Sequence, residues 1–479
     1  MSRFKEYDPD QTFMFAPSMA DWLPADHVVK FVMDAVKVLD LTRIYETYED
    51  GDKGGRPAYS PQMLTSVWIY AHMIGIRASR RLERALYESI PFRILSGNQQ
   101  PDFWTLNNFR TTHREVLGDL LVQTVQIGRD LGLVPMKQTA IDGTRLQANA
   151  SRHSAMSYGR MEEKAKALQE EIEQYLQACD EADEQDDARF GKRGSYVLPE
   201  HLKHPARRLA AIKEAKAALE QQARERAGAE QDQRRAQAER KGRVFHPRLD
   251  PEKAVPDAKA QRNFTDPESR IMCKKGKDVI QGYNAQAAVD ADTQFIVAAD
   301  LTNQAADAPH LLSMLEQIES NTGTVPQEIT ADAGYFSERN VEEAEKRLPN
   351  CDVFIPPDRQ KRCAADSQAE AAEVHTEHDH GPPPSGTESA AQSAADSSEV
   401  KPKSAAVRMR EKIGTDHGRQ RYKLRRCSVE PVFGQIKGAR GFRQFLHRGL
   451  EKTRHMWRFE CAVHNLLKIL ASRKKLGLA

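Results

Sequence analysis

Gln327-Glu-Ile-Thr-Ala-Asp332-Ala-Gly-Tyr-Phe336 is the stretch on which the fold turns. It reads as a short apolar strand that ends on an aspartate, with a glycine two residues beyond it. Ser337 then stands where a helix cap belongs, and the following helix runs to about Leu348. Before the stretch lies a helix from Ala308-Pro309 through Leu311, Leu312, Leu315 and Ile318. After it comes a short buried strand, Cys351-Asp-Val-Phe-Ile-Pro356. Upstream, the run from Lys274 to Asp290 reads as a strand with alternating faces. Ala291-Asp292-Thr293 is its turn, and Gln294-Phe-Ile-Val-Ala-Ala-Asp-Leu-Thr302 is an antiparallel return. Further upstream, Lys137-Gln-Thr-Ala-Ile-Asp142-Gly-Thr-Arg-Leu-Gln-Ala-Asn149 is an extended segment with an aspartate and glycine inside it. Such a pair marks a hairpin turn. Alternatively, it is a carboxylate on a central strand, with the glycine leaving room for a phosphate. Three antiparallel strands followed by helix-linked strands make an α/β fold, a mixed five-stranded sheet with helices on its faces.

The helix that follows this region is Tyr422-Lys-Leu-Arg-Arg-Cys-Ser-Val-Glu430-Pro-Val-Phe-Gly-Gln-Ile-Lys437, a basic run with one carboxylate. Arg426, Glu430 and Lys437 fall on nearly one face at 3.6 residues per turn. Taken alone, this is a solvated basic helix with one stray acid. Residues 401–479 hold 21 Lys and Arg against 5 Asp and Glu, a density that points to a phosphate-bearing partner. Beyond Lys437, Gly438-Ala-Arg-Gly-Phe-Arg-Gln-Phe-Leu-His-Arg448 interleaves Arg440 and Arg443 with Phe442 and Phe445. That pattern suits backbone tracking and base stacking, or simply a core. The closing helix, Met456 to Leu470, is amphipathic, and its His464 reads as structural.

Residues 1–136 read as an all-α module. An apolar stripe runs from Pro24 to Leu39, and Ser60-Pro61 is a cap and first-turn proline for a helix carrying Leu64, Trp68, Ile69 and Met73. Short helices around Ser79–Ser89 and Thr105–Arg114 follow. With Arg80, Arg81, Arg84, Asn107, Asn108 and Arg110 exposed on them, they suit a helix-turn-helix reader of DNA. Residues 155–265 are an insertion. Met161, Ala165, Leu168, Ile172, Tyr175, Cys179 and Ala182 step as a heptad seam, and a second helical stretch spans about 201–240, so a helical hairpin is the simplest reading. An extended linker is expected from Lys241 to about Thr265. Residues 357–410, rich in Ser, Ala, Glu, His and Pro, are too poor in large apolar side chains to order themselves.

Length and charge set outer bounds. The 479 residues correspond to about three domains, and the formal net charge of +2 sums unlike regions: residues 365–400 hold 8 acids and no Lys or Arg. Six scattered cysteines without a CxxC pair exclude a zinc ribbon and fit a reducing compartment. No apolar run reaches the ~18 residues of a membrane span, and the N-terminus lacks the apolar core of a signal peptide. A cytoplasmic protein is expected.

On Ala140-Ile-Asp142-Gly-Thr144, Thr330-Ala-Asp332-Ala-Gly-Tyr-Phe336, the Lys274-to-Ala287 run and the Arg426-to-Lys437 run, the chain resembles the DDE transposases of bacterial insertion sequences. Tyr59-Ser-Pro-Gln-Met-Leu and Pro101-Asp-Phe-Trp-Thr-Leu-Asn-Asn-Phe-Arg110 resemble the N-terminal domain of these enzymes. The resemblance covers most of the chain except its insertions. It implies a ribonuclease H-like core over 137–479, with the helical module at 1–136 as DNA-binding domain. It further implies Asp142, Asp332 and Glu430 as catalytic ligands of two Mg²⁺ or Mn²⁺ ions. Double-stranded DNA is the implied partner, bound by a homodimer when two element ends are synapsed, so that the protein would be nucleoid-associated on DNA. The implied reaction is cleavage at terminal inverted repeats and strand transfer. A catalytically idle DNA-binding derivative and a nuclease without strand transfer are the alternatives. Around its glutamate the family signature runs Tyr, two residues, Arg, three, Glu, six, Lys. Arg426, Glu430 and Lys437 fit it, with Arg426 and Lys437 implied as phosphate clamps flanking the glutamate, while Tyr422, implied as a DNA contact, stands one place early.

Overall fold

The two aspartate segments lie side by side at the centre of one sheet. The computed structural model describes residues 18–49, 57–190, 200–240, 242–247, 250–273, 278–358 and 403–475. Its strands are β1 (Gln138–Gln147), β2 (Ala155–Ser157), β3 (Gln261–Asn263), β4 (Arg270–Cys273), β5 (Val279–Asp290), β6 (Ile296–Thr302), β7 (Glu328–Ala331) and β8 (Asp352–Phe354). β1 runs unbroken through Asp142-Gly143, which excludes the hairpin-turn reading. It pairs antiparallel with β5, Asp142 opposite Ala287, and parallel with β7, Ile141 opposite Ala331. β6 pairs antiparallel with β5, and β8 pairs parallel with β7. The order β6-β5-β1-β7-β8 is the expected ribonuclease H-like mixed sheet. The strand number is corrected: β4 adds a sixth strand along the edge of β5 ahead of β6.

The helical opening consists of α1 (Val28–Val38), α2 (Thr42–Glu49), α3 (Pro61–Met73), α4 (Ser79–Glu88), α5 (Ile90–Leu95), α6 (Phe103–Thr112) and α7 (Arg114–Asp130). Ser60 caps α3 by accepting from the Met63 N–H, and Asp102 caps α6 by accepting from the Thr105 N–H. α3 is buried nearly all round and is a core helix rather than an amphipathic surface one. The insertion is α8 (Tyr158–Phe190) against α9 (Glu200–Arg240). Its small core of Tyr158, Met161, Leu168, Leu209, Ile212, Ala215 and Leu219 is separate from the main one. The later seam positions Tyr175, Cys179 and Ala182 have side chains outside the described set. At the base of the hairpin β2 pairs with β3. The 241–265 stretch is therefore not merely a linker, since it carries β3 and a 3-10 turn at Pro251–Lys253.

After β7 come α10's successor α11 (Glu338–Arg347) and β8, α10 itself being Leu311–Thr322. Residues 359–402 lie outside the described residues. The remainder of the segment expected to be disordered is corrected: α12 (Ala405–Gly414), capped by Ser404, packs Ala405 and Met409 against Val341 of α11. Then follow α13 (Asp416–Gly434), a π-helical turn (Gln435–Ala439) and α14 (Leu450–Lys475). One hydrophobic cluster runs from Val29 through the sheet to Ile469. At its centre Glu460 of α14 is fully buried. It accepts from His72 Nδ1 of α3 at 2.7 Å and is paired with Arg77 and Arg440, each at 3.0 Å. Burial alone would raise the Glu460 pKa, but Arg440, His72 and Arg77 hold it far below the carboxylate range. Burial lowers the His72 pKa, so this ring is neutral and donates from Nδ1.

Candidate active site

β7 stops opposite Ile141 while β1 runs on to Gln147, leaving a notch along the β1 edge. Asp142 opens it, and Asp332 follows the last residue of β7. Asp332 Oδ1 accepts from the Gly334 N–H at 2.7 Å, which fixes the 3-10 turn Ala333–Tyr335. Asp142 Oδ1 accepts from the Gly143 N–H at 2.8 Å, and its Oδ2 pairs with Arg425 Nη1 at 2.9 Å. Burial pushes the Asp142 carboxyl up to about 6; Arg425 opposes this, while the charges of Asp332 and Asp307 add to it.

α13 supplies the other side. Its Pro431 has no N–H for the carbonyl of Cys427, and Gln294 Nε2 donates to that carbonyl at 3.3 Å instead. Arg425 is 8 % exposed. Burial works against its charge, but Asp142, Tyr422, Asp332 and Glu430 together hold its pKa above the ordinary value. Its guanidinium lies 5.6 Å from the centre of the Tyr422 ring. Glu430 is exposed on α13, as is Arg426. The π-turn that follows brings Lys437 inward, where Nζ donates to Thr144 Oγ1 at 2.7 Å and to the Arg145 carbonyl at 3.1 Å. Single π-turns of this kind concentrate at functional sites.

Of the expected site residues, the structure corrects the exposure of Arg110 and Arg440. The arginine bonded to Asp142 is Arg425, while the expected Arg426 is exposed on the same helix. Tyr422 and Arg425 keep the spacing of Tyr, two residues, Arg, so the one-place offset falls between Arg425 and Glu430; that spacing was the available signal. Arg440 is 7 % exposed and bound to Glu460, so its charge is used inside the core. Arg110 is 4 % exposed, its guanidinium 4.3 Å from the Trp68 ring centre, and it donates to the Arg77 carbonyl and to Asn107 Oδ1. Neither side chain faces solvent. Arg84 is exposed but paired with Glu88 at 2.6 Å. Arg80, exposed, lies over the Phe103 ring, and Asn107, Asn108 and Trp104 share its outward surface. Arg443 is exposed, with Nε donating to the Lys437 carbonyl. His464 is structural as expected, bonded to the Gln294 carbonyl.

Gly143 serves a purpose other than the one expected. A Cβ there would meet Gln286 Nε2 at 2.6 Å, Asp307 Oδ1 at 2.8 Å and Asn284 Oδ1 at 2.9 Å, so the space belongs to the protein's own side chains. Asp307, Asn284 and Gln286 were not singled out by the sequence, because they sit on β5 and a loop far from Asp142 along the chain.

The donor chemistry fits a divalent cation. The carboxylates of the notch are hard oxygen donors, and a buried guanidinium stands among them with its Nε unpartnered, in the manner of a stand-in cation. No three His, Cys, Asp or Glu side chains among the described residues converge closely enough to grip an ion. The charge that a metal would bring is carried by Arg425. No helix among the described residues is long and apolar enough to cross a membrane.

Two family models of transposase domains match parts of the chain. Residues 248–466, which include Asp332 and Glu430, match the family model described as Transposase DDE domain. Residues 17–112 match the one described as Transposase domain (DUF772). Asp142 lies outside both matched spans. No curated protein and no solved structure matches the chain.

Proposed function

We propose, on the premise that the chain belongs to the DDE-type transposases of insertion-sequence type, that it binds the terminal inverted repeats of its element, cuts the DNA there and joins the ends to a target. The observation that carries this reading is the juxtaposition of Asp142 and Asp332 at neighbouring positions of adjacent parallel strands, with the Arg425 guanidinium bonded to the first and held by both. Asp142, Asp332 and Glu430 would hold two Mg²⁺ or Mn²⁺ ions, which when bound activate the attacking oxygen and stabilise the leaving one. For that, Asp142 Oδ2 has to be released by Arg425. The freed guanidinium then has a fork geometry suited to a DNA phosphate in the same notch. Lys437 ties the π-turn to β1 and brings a point charge beside Thr144. Arg426 and Arg443 extend the basic surface outward, and Tyr422 lies next to the guanidinium, where it can stack on DNA.

The face of α4 and α6 bearing Arg80, Trp104, Asn107 and Asn108 is the candidate reader of the element ends. The proposed division is a DNA-binding domain at 1–136 and a catalytic domain at 137–479, working as a homodimer across two ends. The test is Mg²⁺-dependent nicking and strand transfer on DNA containing the element ends. Asp142→Ala, Asp332→Ala and Glu430→Ala should each lower the rate by about a hundredfold or more. Unchanged rates in all three would sink the assignment. Nicking without joined products would identify a nuclease, and end binding without nicking an idle DNA-binding derivative.

A further inference from the structure

The run Gly282-Tyr-Asn-Ala-Gln286 contributes two amides that the proposed reaction leaves without a part. Asn284 and Gln286 are fully buried, and both donate to one oxygen: Asn284 Nδ2 lies 2.6 Å and Gln286 Nε2 2.9 Å from Asp307 Oδ1. The wiring continues outward. Gln286 Oε1 accepts from the Tyr335 hydroxyl, its backbone carbonyl accepts from Trp457 Nε1 at 2.9 Å, and Asn284 Oδ1 accepts from Arg145 Nη1 at 3.4 Å. One carboxylate is thereby fixed from β1, β5, α14 and the Asp332 turn. Its second oxygen, Oδ2, is 3.6 Å from Arg145 Nη2. It faces the Asp332 turn: a Cβ on Gly334 would sit 2.8 Å from Asp332 Oδ1 and 3.1 Å from Asp307 Oδ2. Among the described glycines, Gly143 and Gly334 are thus positions where a side chain would collide with this network.

Holding a third partly buried carboxylate against Asp142 and Asp332 costs free energy unless positive charge is supplied. Arg145 beside Asp307 and the guanidinium of Arg425 beside Asp142 supply it. We propose that Asp307 is a fourth carboxylate of the site, a positioning residue that braces the Asp332 turn and adds its charge to the field a divalent cation enters. This inference rests on the metal-dependent reading above. Asp307 does not replace Asp142, Asp332 or Glu430; it acts through the turn and through space.

The experiment is Mn²⁺ binding to the full chain by calorimetry, with thermal melting in metal-free buffer alongside. Asp307→Asn keeps the shape and an oxygen for both amides. It should melt within about 2 °C of the wild type and bind Mn²⁺ at least about fivefold more weakly. Binding within about twofold of the wild type overturns the proposal. Arg145→Gln provides an arm that misfolding cannot mimic. Removing the cation beside Oδ2 should tighten Mn²⁺ binding by about threefold or more, and unchanged or weaker binding counts against the proposal. Asp142→Ala separates the two levels. If it abolishes Mn²⁺ binding while Asp307→Asn leaves it intact, the metal-dependent reaction stands and this inference fails. If the wild-type chain binds no Mn²⁺, both fail.

Discussion

A guanidinium buried beside a carboxylate is worth most when its partner is taken away. Arg425→Ala would leave the Asp142 charge unpaired in the notch, so the metal-free protein should lose about 3–5 kcal/mol of stability. Added Mn²⁺ should restore part of it by substituting one cation for another. Arg426→Ala, on the exposed side of the same helix, should change stability by no more than about 0.5 kcal/mol. Thermal melts of both variants, with and without the ion, make the comparison. The proton is a second competitor for Asp142. Its carboxyl, pushed up to about 6 by burial with Asp332 and Asp307 adding to the effect, is largely protonated below that pH. Apparent Mn²⁺ affinity should therefore climb by about tenfold per pH unit below 6 and level off above it. Calorimetry from pH 5 to 8 would expose a flat profile, which would exclude Asp142 as a ligand. The places of Asp142 and Asp332 in the sheet are legible because strand periodicity and neighbouring glycines mark them, whereas Glu430 stands out only as the one acid in a basic helical run. Arg425 is not, because consecutive residues on a helix differ by about 100° in direction and only packing selects between them. Asp307 was hidden for another reason: the amides that define it lie on a different strand.

At the scale of elements, periodicity carried most of the fold. The helices of the opening module, the β5–β6 hairpin and the strand–helix alternation around Asp332 all follow from apolar spacing. What escaped was short or compositionally masked. β4 is four residues long and has only Met272 buried, too little alternation to register. α12 hides its buried Ala405 and Met409 at the edge of a polar segment. The α8–α9 hairpin makes a prediction of its own. Its buried apolar residues are separate from the main cluster, and its base closes where the Gly159 N–H donates to the Ala258 carbonyl at 3.1 Å. Replacing residues 160–257 with a short Gly-Ser linker should leave the remainder cooperatively folded. Circular dichroism with a thermal melt would show this, and loss of the sharp transition would mean that the hairpin belongs to the core.

For the whole molecule, the joint between the helical opening and the sheet is made by α14 and centred on Glu460. Glu460→Gln removes the negative charge that Arg440 and Arg77 share, and should cost about 3–5 kcal/mol. The sign of its pH dependence follows from a carboxyl held below its ordinary value. The contribution is present above the unfolded pKa of 4.5 and is lost as pH falls below that toward the folded value. Urea unfolding at pH 7 and pH 3 should show the loss in the wild type and little of it in Glu460→Gln. The position of this joint along the chain also sets an order of assembly. A ribosome delivers α3 and α7 before α14, and part of the apolar surface of the first two has no cover until the third emerges. His72, Arg77 and the sheet wait for one glutamate, 388 residues after His72 along the chain. A message cut short before codon 460 should therefore yield not a smaller folded protein but an unsealed, aggregation-prone one.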